Sequence, residues 1–121
     1  MNDRDGLDVV KDHIDNRFYE AITIDQLARL ACMSPSKLKY SFRTAFGSTV
    51  YRYIMETRAK HAERLLVETD LPVARIAERV GYKKAGAFAA AFHKCVGKLP
   101  REARRGNVCG GRIDGAGRAG V

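Results

Sequence analysis

Residues 27–47 and 76–97 carry the same apolar pattern. Leu27-Ala28 matches Ile76-Ala77 at an offset of 49, and Leu38, Phe42 and Gly47 match Phe88, Phe92 and Gly97 at an offset of 50. The second copy therefore has one extra residue between its two apolar segments. Each copy reads as a short helix, a tight turn and a longer helix, the helix-turn-helix pattern. Its physical requirements are met twice. A small residue, Ala28 or Ala77, lets the two helices cross closely. The turn position holds Cys32 in one copy and Gly81 in the other; glycine tolerates a left-handed backbone there, and cysteine is the less usual choice. Met33 and Tyr82 are placed to tuck beneath the turn.

The chain around the repeat reads as helical over 5–105. Leu7, Val10, Ile14 and Phe18 recur at helical spacing and predict an amphipathic first helix. Thr23 with Gln26 is a capping-box pattern, so a second helix starts near Ile24 and presents Leu27, Ala28, Leu30 and Ala31. Ser34-Pro35 is an N-cap followed by proline at the first helical position; the helix it opens runs to about Phe46 and stops at Gly47. A long helix is predicted from about Val50 to Glu68, with Ile54, Arg58, Ala62, Leu65 and Leu66 along one side. Leu71-Pro72 breaks the chain. Helices over about Val73–Val80 and Lys84–Val96 end at Gly81 and Gly97, and Pro100 opens a last turn through Arg105. No segment alternates like a strand. The predicted fold is all-α: about seven helices forming two helix-turn-helix subdomains, over about 5–47 and 72–105, joined by a connecting helix over about 50–68. Residues 106–121 hold six of the 11 glycines and almost no large apolar side chain, which predicts a disordered tail with Cys109 as an exposed thiol.

A helical wheel separates the faces of the second helix in each copy. Leu38, Phe42, Ala45 and Phe46 cluster inward, leaving Ser36, Lys37, Tyr40, Arg43 and Thr44 outward. In the second copy Phe88, Ala91, Phe92, Cys95 and Val96 point inward, and Gly86, Ala87, Ala90, His93 and Lys94 outward. The 19-residue connector reaches roughly 28 Å at 1.5 Å per residue. Successive major-groove segments on one face of DNA lie about 34 Å apart. A stiff connector of that reach suits two helices set in adjacent grooves.

Charge agrees with such a partner. The 121 residues carry a formal net charge of +8, unevenly placed: residues 1–25 sum to −4 and residues 26–121 to +12. A basic body points to a polyanion, most often nucleic acid. No stretch approaches the roughly 18 apolar residues of a membrane span. The start, Met1-Asn-Asp-Arg-Asp, is too acidic and polar for a secretory signal or transit peptide. Three widely spaced cysteines give neither a disulfide framework nor paired zinc spacing, which fits a reducing cytosol.

With these residues in view, the chain resembles the DNA-binding domain of the AraC/XylS family of bacterial transcription regulators over roughly 5–105. The stretch Ile24-Asp-Gln-Leu-Ala-Arg-Leu-Ala-Cys-Met-Ser-Pro-Ser-Lys-Leu is similar to the first family module. Ile76-Ala-Glu-Arg-Val-Gly-Tyr, with Phe88-Ala-Ala-Ala-Phe-His-Lys-Cys-Val-Gly-Lys-Leu-Pro, is similar to the second. Arg58 falls on the arginine usual in the connecting helix, and Arg104 on the one closing the motif. The resemblance implies a cytoplasmic, nucleoid-associated regulator that docks two units in successive major-groove segments of double-stranded DNA and recruits RNA polymerase. It places base reading in the first unit on Ser36, Lys37, Lys39 and Tyr40, with Arg43 as a phosphate clamp. In the second unit the corresponding positions are Ala85, Gly86, Ala87 and Ala90, where the family usually has polar side chains. Alanine can touch a thymine methyl but cannot tell bases apart by hydrogen bonding. Lys83, Lys84, His93 and Lys94 remain to meet the DNA backbone, which positions without specifying. The expectation is therefore asymmetric readout, led by the first unit.

Two other functions compete with this reading. An enzyme finds little support: His93 and Cys95 are two residues apart and face different sides of a helix, and His13 and His61 have no evident catalytic partners. There is no nucleotide-binding glycine motif and no zinc-hydrolase spacing, so no cofactor and no metal site is expected. The more serious rival is a protein-interaction module that docks on RNA polymerase or another regulator and binds DNA weakly. The family's companion domain, which senses a ligand or dimerises, is missing from the sequence. A monomer is expected, unless the chain is part of a longer protein.

Overall fold

The computed structural model describes residues 3–106. Seven helices make up these residues, with no strand among them: α1 (Asp3–Arg17), α2 (Ile24–Ala31), α3 (Pro35–Phe46), α4 (Val50–Glu68), α5 (Val73–Arg79), α6 (Ala85–Val96) and α7 (Pro100–Gly106). The all-α expectation holds. The expected tail lies outside the described residues, Cys109 included, except that Gly106 closes α7. The chain divides into two compact units between Thr57 and Arg58, within α4.

In the first unit the helix boundaries are set by capping side chains. The Thr23 hydroxyl accepts from the Gln26 N–H at 3.1 Å, and the Ser34 hydroxyl accepts from the Lys37 N–H at 3.2 Å. The Thr49 hydroxyl does the same for Arg52 at 3.0 Å, a cap the sequence pattern did not single out. Each such cap contributes about 1 kcal/mol. Gly47, at φ +76°, ends α3 with its N–H on the Arg43 carbonyl at 2.9 Å.

Leu7, Val10 and Ile14 of α1, Leu27, Ala28 and Ala31 of α2, Leu38 and Phe42 of α3, and Val50 and Ile54 of α4 form one buried cluster. Leu27, Leu38 and Phe42 are completely shielded. Met33 packs against this cluster, as its place beneath the turn predicts. Phe42 also meets the rings of Phe46 and Tyr53, at centroid distances of 4.7 and 5.7 Å. The Tyr53 hydroxyl donates to the Asp15 carboxylate and so ties α4 to the end of α1. Burial, then the Asp15 hydrogen bond and charge, push the Tyr53 pKa up to about 12.

Three expected inward positions do not hold. Leu30 is exposed, because the buried stripe of α2 is only as wide as Leu27, Ala28 and Ala31. Ala45 is exposed in the last turn of α3, since helical period does not say where covering neighbours stop. Phe18 falls just beyond α1 and is half-buried.

The second unit has a different economy of contacts. Ile76, Ala77, Val80, Phe88, Phe92 and Ala103 are buried, with Ala59, Ala62 and Leu66 from α4. Neither α5 nor α6 has a side-chain cap; Pro72 and Lys84 occupy the cap positions. Lys84 therefore precedes α6 instead of beginning it, and Val80 follows α5. Two arginines tie this unit instead. Arg104 donates to the carbonyls of Leu66 at 3.0 Å, Thr69 at 3.1 Å and Leu71 at 2.7 Å, satisfying acceptors at and beyond the end of α4. The Arg58 guanidinium stacks 5.0 Å from the Tyr82 ring centroid. It also lies 2.9 Å from where a Cβ on Gly81 would stand. Gly81, at φ +108°, is thus required both for the turn and for the arginine beside it.

Two glycines inside helices make opposite predictions. Gly6 of α1 is buried, and a Cβ there would stand 2.8 Å from the backbone oxygen of Ala31. Gly86 of α6 is exposed, and an added Cβ meets nothing within 4 Å. Gly6→Ala is expected to lower the unfolding free energy by about 1–3 kcal/mol, through overpacking against backbone. Gly86→Ala is expected to raise it by about 1 kcal/mol, through helix propensity. Urea melts of the two variants check both signs.

Candidate nucleic-acid interface

The outward face of α3 follows from its anchors. With Leu38 and Phe42 fully buried, Ser36, Lys37, Lys39, Tyr40, Arg43 and Thr44 all emerge on exposed surface. Tyr40 is the most exposed large hydrophobic side chain among the described residues, at 74%. Ser36, Tyr40 and Arg43 are spaced as i, i+4 and i+7, so they share one stripe. Lys39 and Arg43 are likewise one turn apart.

Lys37 is not isolated. Its Nζ lies 3.2 Å from Asp3 Oδ1, and both side chains are more than half exposed. An exposed pair of this kind contributes about 0–1 kcal/mol. It brings an acidic group from the first turn of α1 against an expected base-reading residue. The pattern of the sequence could not pair these two, which are far apart in the chain: the acidic residues 1–25 read as a supporting helix turned away from DNA, whereas Asp3 reaches the outward face of α3. Among the described residues no ion pair engages Lys39, Arg43, Lys83, Lys84 or Lys94.

In the second unit Phe88 and Phe92 are the buried anchors, at 1% exposure each. Ala85, Gly86, Ala87 and Ala90 are exposed, a surface without side-chain donors or acceptors. Lys83, Lys84, His93 and Lys94 are exposed around it. Lys83 and Lys84 stand at the N-terminal end of α6, where the helix dipole already favours anions.

One residue near α3 was not singled out from the pattern. Tyr51, at the start of α4, is 69% exposed and shares an open pocket of about 450 Å³ with Lys39, Tyr40 and Arg43. A wheel of the connecting helix does not find it, because Tyr51 lies one turn before buried Ile54 and Met55, on the side that period alone assigns to the core.

The histidines and cysteines are scattered. Cys32 is exposed in the turn at φ +57°, the one non-glycine residue with positive φ among those described. Cys95 is half-buried and His93 exposed, on different faces of α6. His13 lines a shallow pocket with Val9 and Leu30, and its Nε2 is buried without a hydrogen-bond partner. His61 is half-buried on α4. Among the described residues no group of three or more His, Cys, Asp or Glu is arranged to hold a metal, and no helix is long and apolar enough to cross a membrane.

Comparison with known proteins bears on this geometry. A family model described as a helix-turn-helix domain matches residues 27–106. The arabinose operon regulatory protein of Salmonella typhimurium is 32% identical over 103 residues, covering 85% of this chain and 36% of that protein. The bifunctional transcriptional activator/DNA repair enzyme AdaA of Bacillus subtilis is 30% identical over 105 residues, covering 87% of this chain and 50% of that protein. The chain thus spans between about a third and a half of these relatives. Among solved structures, the C-terminal domain of AraT, a response regulator from Geobacillus stearothermophilus, superposes with a TM-score of 0.79 at 30% identity, over 83% of this chain and 84% of that one. The DNA-binding domain of AdpA, solved in complex with a target DNA, also gives a TM-score of 0.79, at 26% identity, over 84% and 92% of the two chains.

The Asp3–Lys37 contact makes a prediction. Asp3→Asn is expected to tighten binding to duplex DNA at low salt by about two- to fivefold, the size of one exposed ion pair. Fluorescence anisotropy on the purified variant measures it.

Proposed function

This chain belongs to the AraC/XylS family of helix-turn-helix proteins, and from that premise we propose that it regulates transcription by binding double-stranded DNA, with α3 and α6 set in successive major-groove segments. The observation that carries this reading is the repeated surface. Each unit buries two large residues of its second helix and turns the opposite face outward, flanked by cations.

Readout is asymmetric. On α3, Lys37 donates to guanine O6 or N7, Ser36 meets a base edge, Lys39 meets a base edge and the phosphate beside it, and Tyr40 packs against a base or the backbone. Arg43 clamps a phosphate. On α6 the exposed alanines and Gly86 offer shape and thymine-methyl contact only, while Lys83, Lys84, His93 and Lys94 meet phosphates. The first unit supplies most of the specificity and the second mainly affinity.

The apolar blandness of the α6 face favours one alternative, a docking surface for RNA polymerase or another regulator. Salt titration separates the two. DNA binding through several phosphates weakens steeply, with a log–log slope of about −0.9 per phosphate. Lys37→Ala is expected to cost about 1–3 kcal/mol on a preferred site and to relax preference at one base pair. Lys84→Ala is expected to weaken all duplexes alike and to flatten the slope by about 1. No duplex binding at low salt would favour the protein-docking alternative.

A further inference from the structure

The pocket beside α3 is unlike the rest of the outward surface. Ile24, half-buried, and Val50, buried, form its base. The exposed rings of Tyr40 and Tyr51 stand on its margins, and Lys39 and Arg43 border it. It is open, mostly apolar inside and cationic at the edge, and neither cation has an ion-pair partner among the described residues. Nothing in the repeat requires Tyr51: it comes from the connecting helix and has no part in the anchoring of α3.

We propose that this trough seats the sugar–phosphate backbone of one DNA strand, with a deoxyribose packed between Tyr40 and Tyr51 and its flanking phosphates on Lys39 and Arg43. The inference rests on the DNA-binding reading above and adds Tyr51 to it as a contact residue. The chemistry of the duplex selects the occupant. In an intact duplex the base faces are stacked away and only their edges line the grooves. What a strand offers to an apolar trough at the rim of a reading helix is a sugar with an anion on either side. The trough offers the complement, apolar surface between two cations. The deoxyribose is the same at every nucleotide, so Tyr51 adds affinity and fixes the placement of α3 without reading sequence. Because its ring makes the contact, the hydroxyl is dispensable.

The test is anisotropy binding of wild type, Tyr51→Ala, Tyr51→Phe and Lys39→Ala to two duplexes, one carrying a preferred site and one scrambled, across a salt series. Tyr51→Ala is expected to bind both duplexes about five- to tenfold more weakly with an unchanged salt slope, because apolar contact is lost and no phosphate is. Tyr51→Phe is expected to match wild type, and Lys39→Ala to flatten the slope. The exposure of Tyr51 leaves the fold intact in these variants, which thermal melting checks. Wild-type affinity in Tyr51→Ala overturns the proposal, as does a loss confined to the preferred duplex, or Tyr51→Phe failing as badly as Tyr51→Ala. If wild type binds and Tyr51→Ala is indifferent, the trough alone is wrong. If wild type binds neither duplex at low salt, the DNA reading falls and the trough with it.

Discussion

Everything the outer surface can do depends on how the second helix of each unit is pinned by its inner one. Leu38 and Phe42, and Phe88 and Phe92, are the pins, set beneath Leu27-Ala28 and Ile76-Ala77. Two large side chains one turn apart fix the rotation of a helix about its own axis, and the opposite face is then determined. The small residue at 28 or 77 permits the close approach, and a left-handed residue at 32 or 81 turns the chain within it. That position costs glycine nothing, whereas a cysteine at φ +57° bears about 1 kcal/mol or more of backbone strain. The turn geometry is evidently worth more to the first unit than the strain it carries.

The two units reach the same geometry by different chemistry. The first uses hydroxyl caps at Thr23, Ser34 and Thr49, and it spends its outward face on polar and charged groups. The second has no such caps on α5 and α6; it relies on Arg104 over three carbonyls and on Arg58 stacked against Tyr82. Its outer face on α6 is alanine and glycine, with Lys83 and Lys84 at the helix end where a positive charge is least welcome. Cations placed against the dipole are disfavoured in the free protein and favoured once an anion arrives, which is the arrangement expected of a phosphate-holding end. The same placement suits the role proposed for this unit, affinity more than discrimination.

Much of this was legible in the residues. Thr23, Ser34-Pro35 and Gly47 mark helix ends with local chemistry, and α2 begins, and α3 begins and ends, where those signals stand. The repeat gave the buried pairs, because the same packing problem was solved twice. What escaped was either marginal or long-range. Leu30 and Ala45 sit at the edge of a buried stripe, and period alone does not give the stripe its width. Nothing in the sequence pattern marks Gly6; only the approach of Ala31 shows why a side chain does not fit. The Asp3–Lys37 pair and the place of Tyr51 beside α3 join segments that no spacing rule connects.

The proposed readout is that of a two-unit reader in which only the first unit discriminates bases. Selection of binding sites from a randomised duplex pool, with purified protein at moderate salt, tests it most directly. The expected product is an enriched site with one strongly constrained segment and, about one helical turn away, a second that tolerates most sequences or shows only a thymine preference. Two segments constrained to the same degree, or a pool with no enrichment, would contradict it.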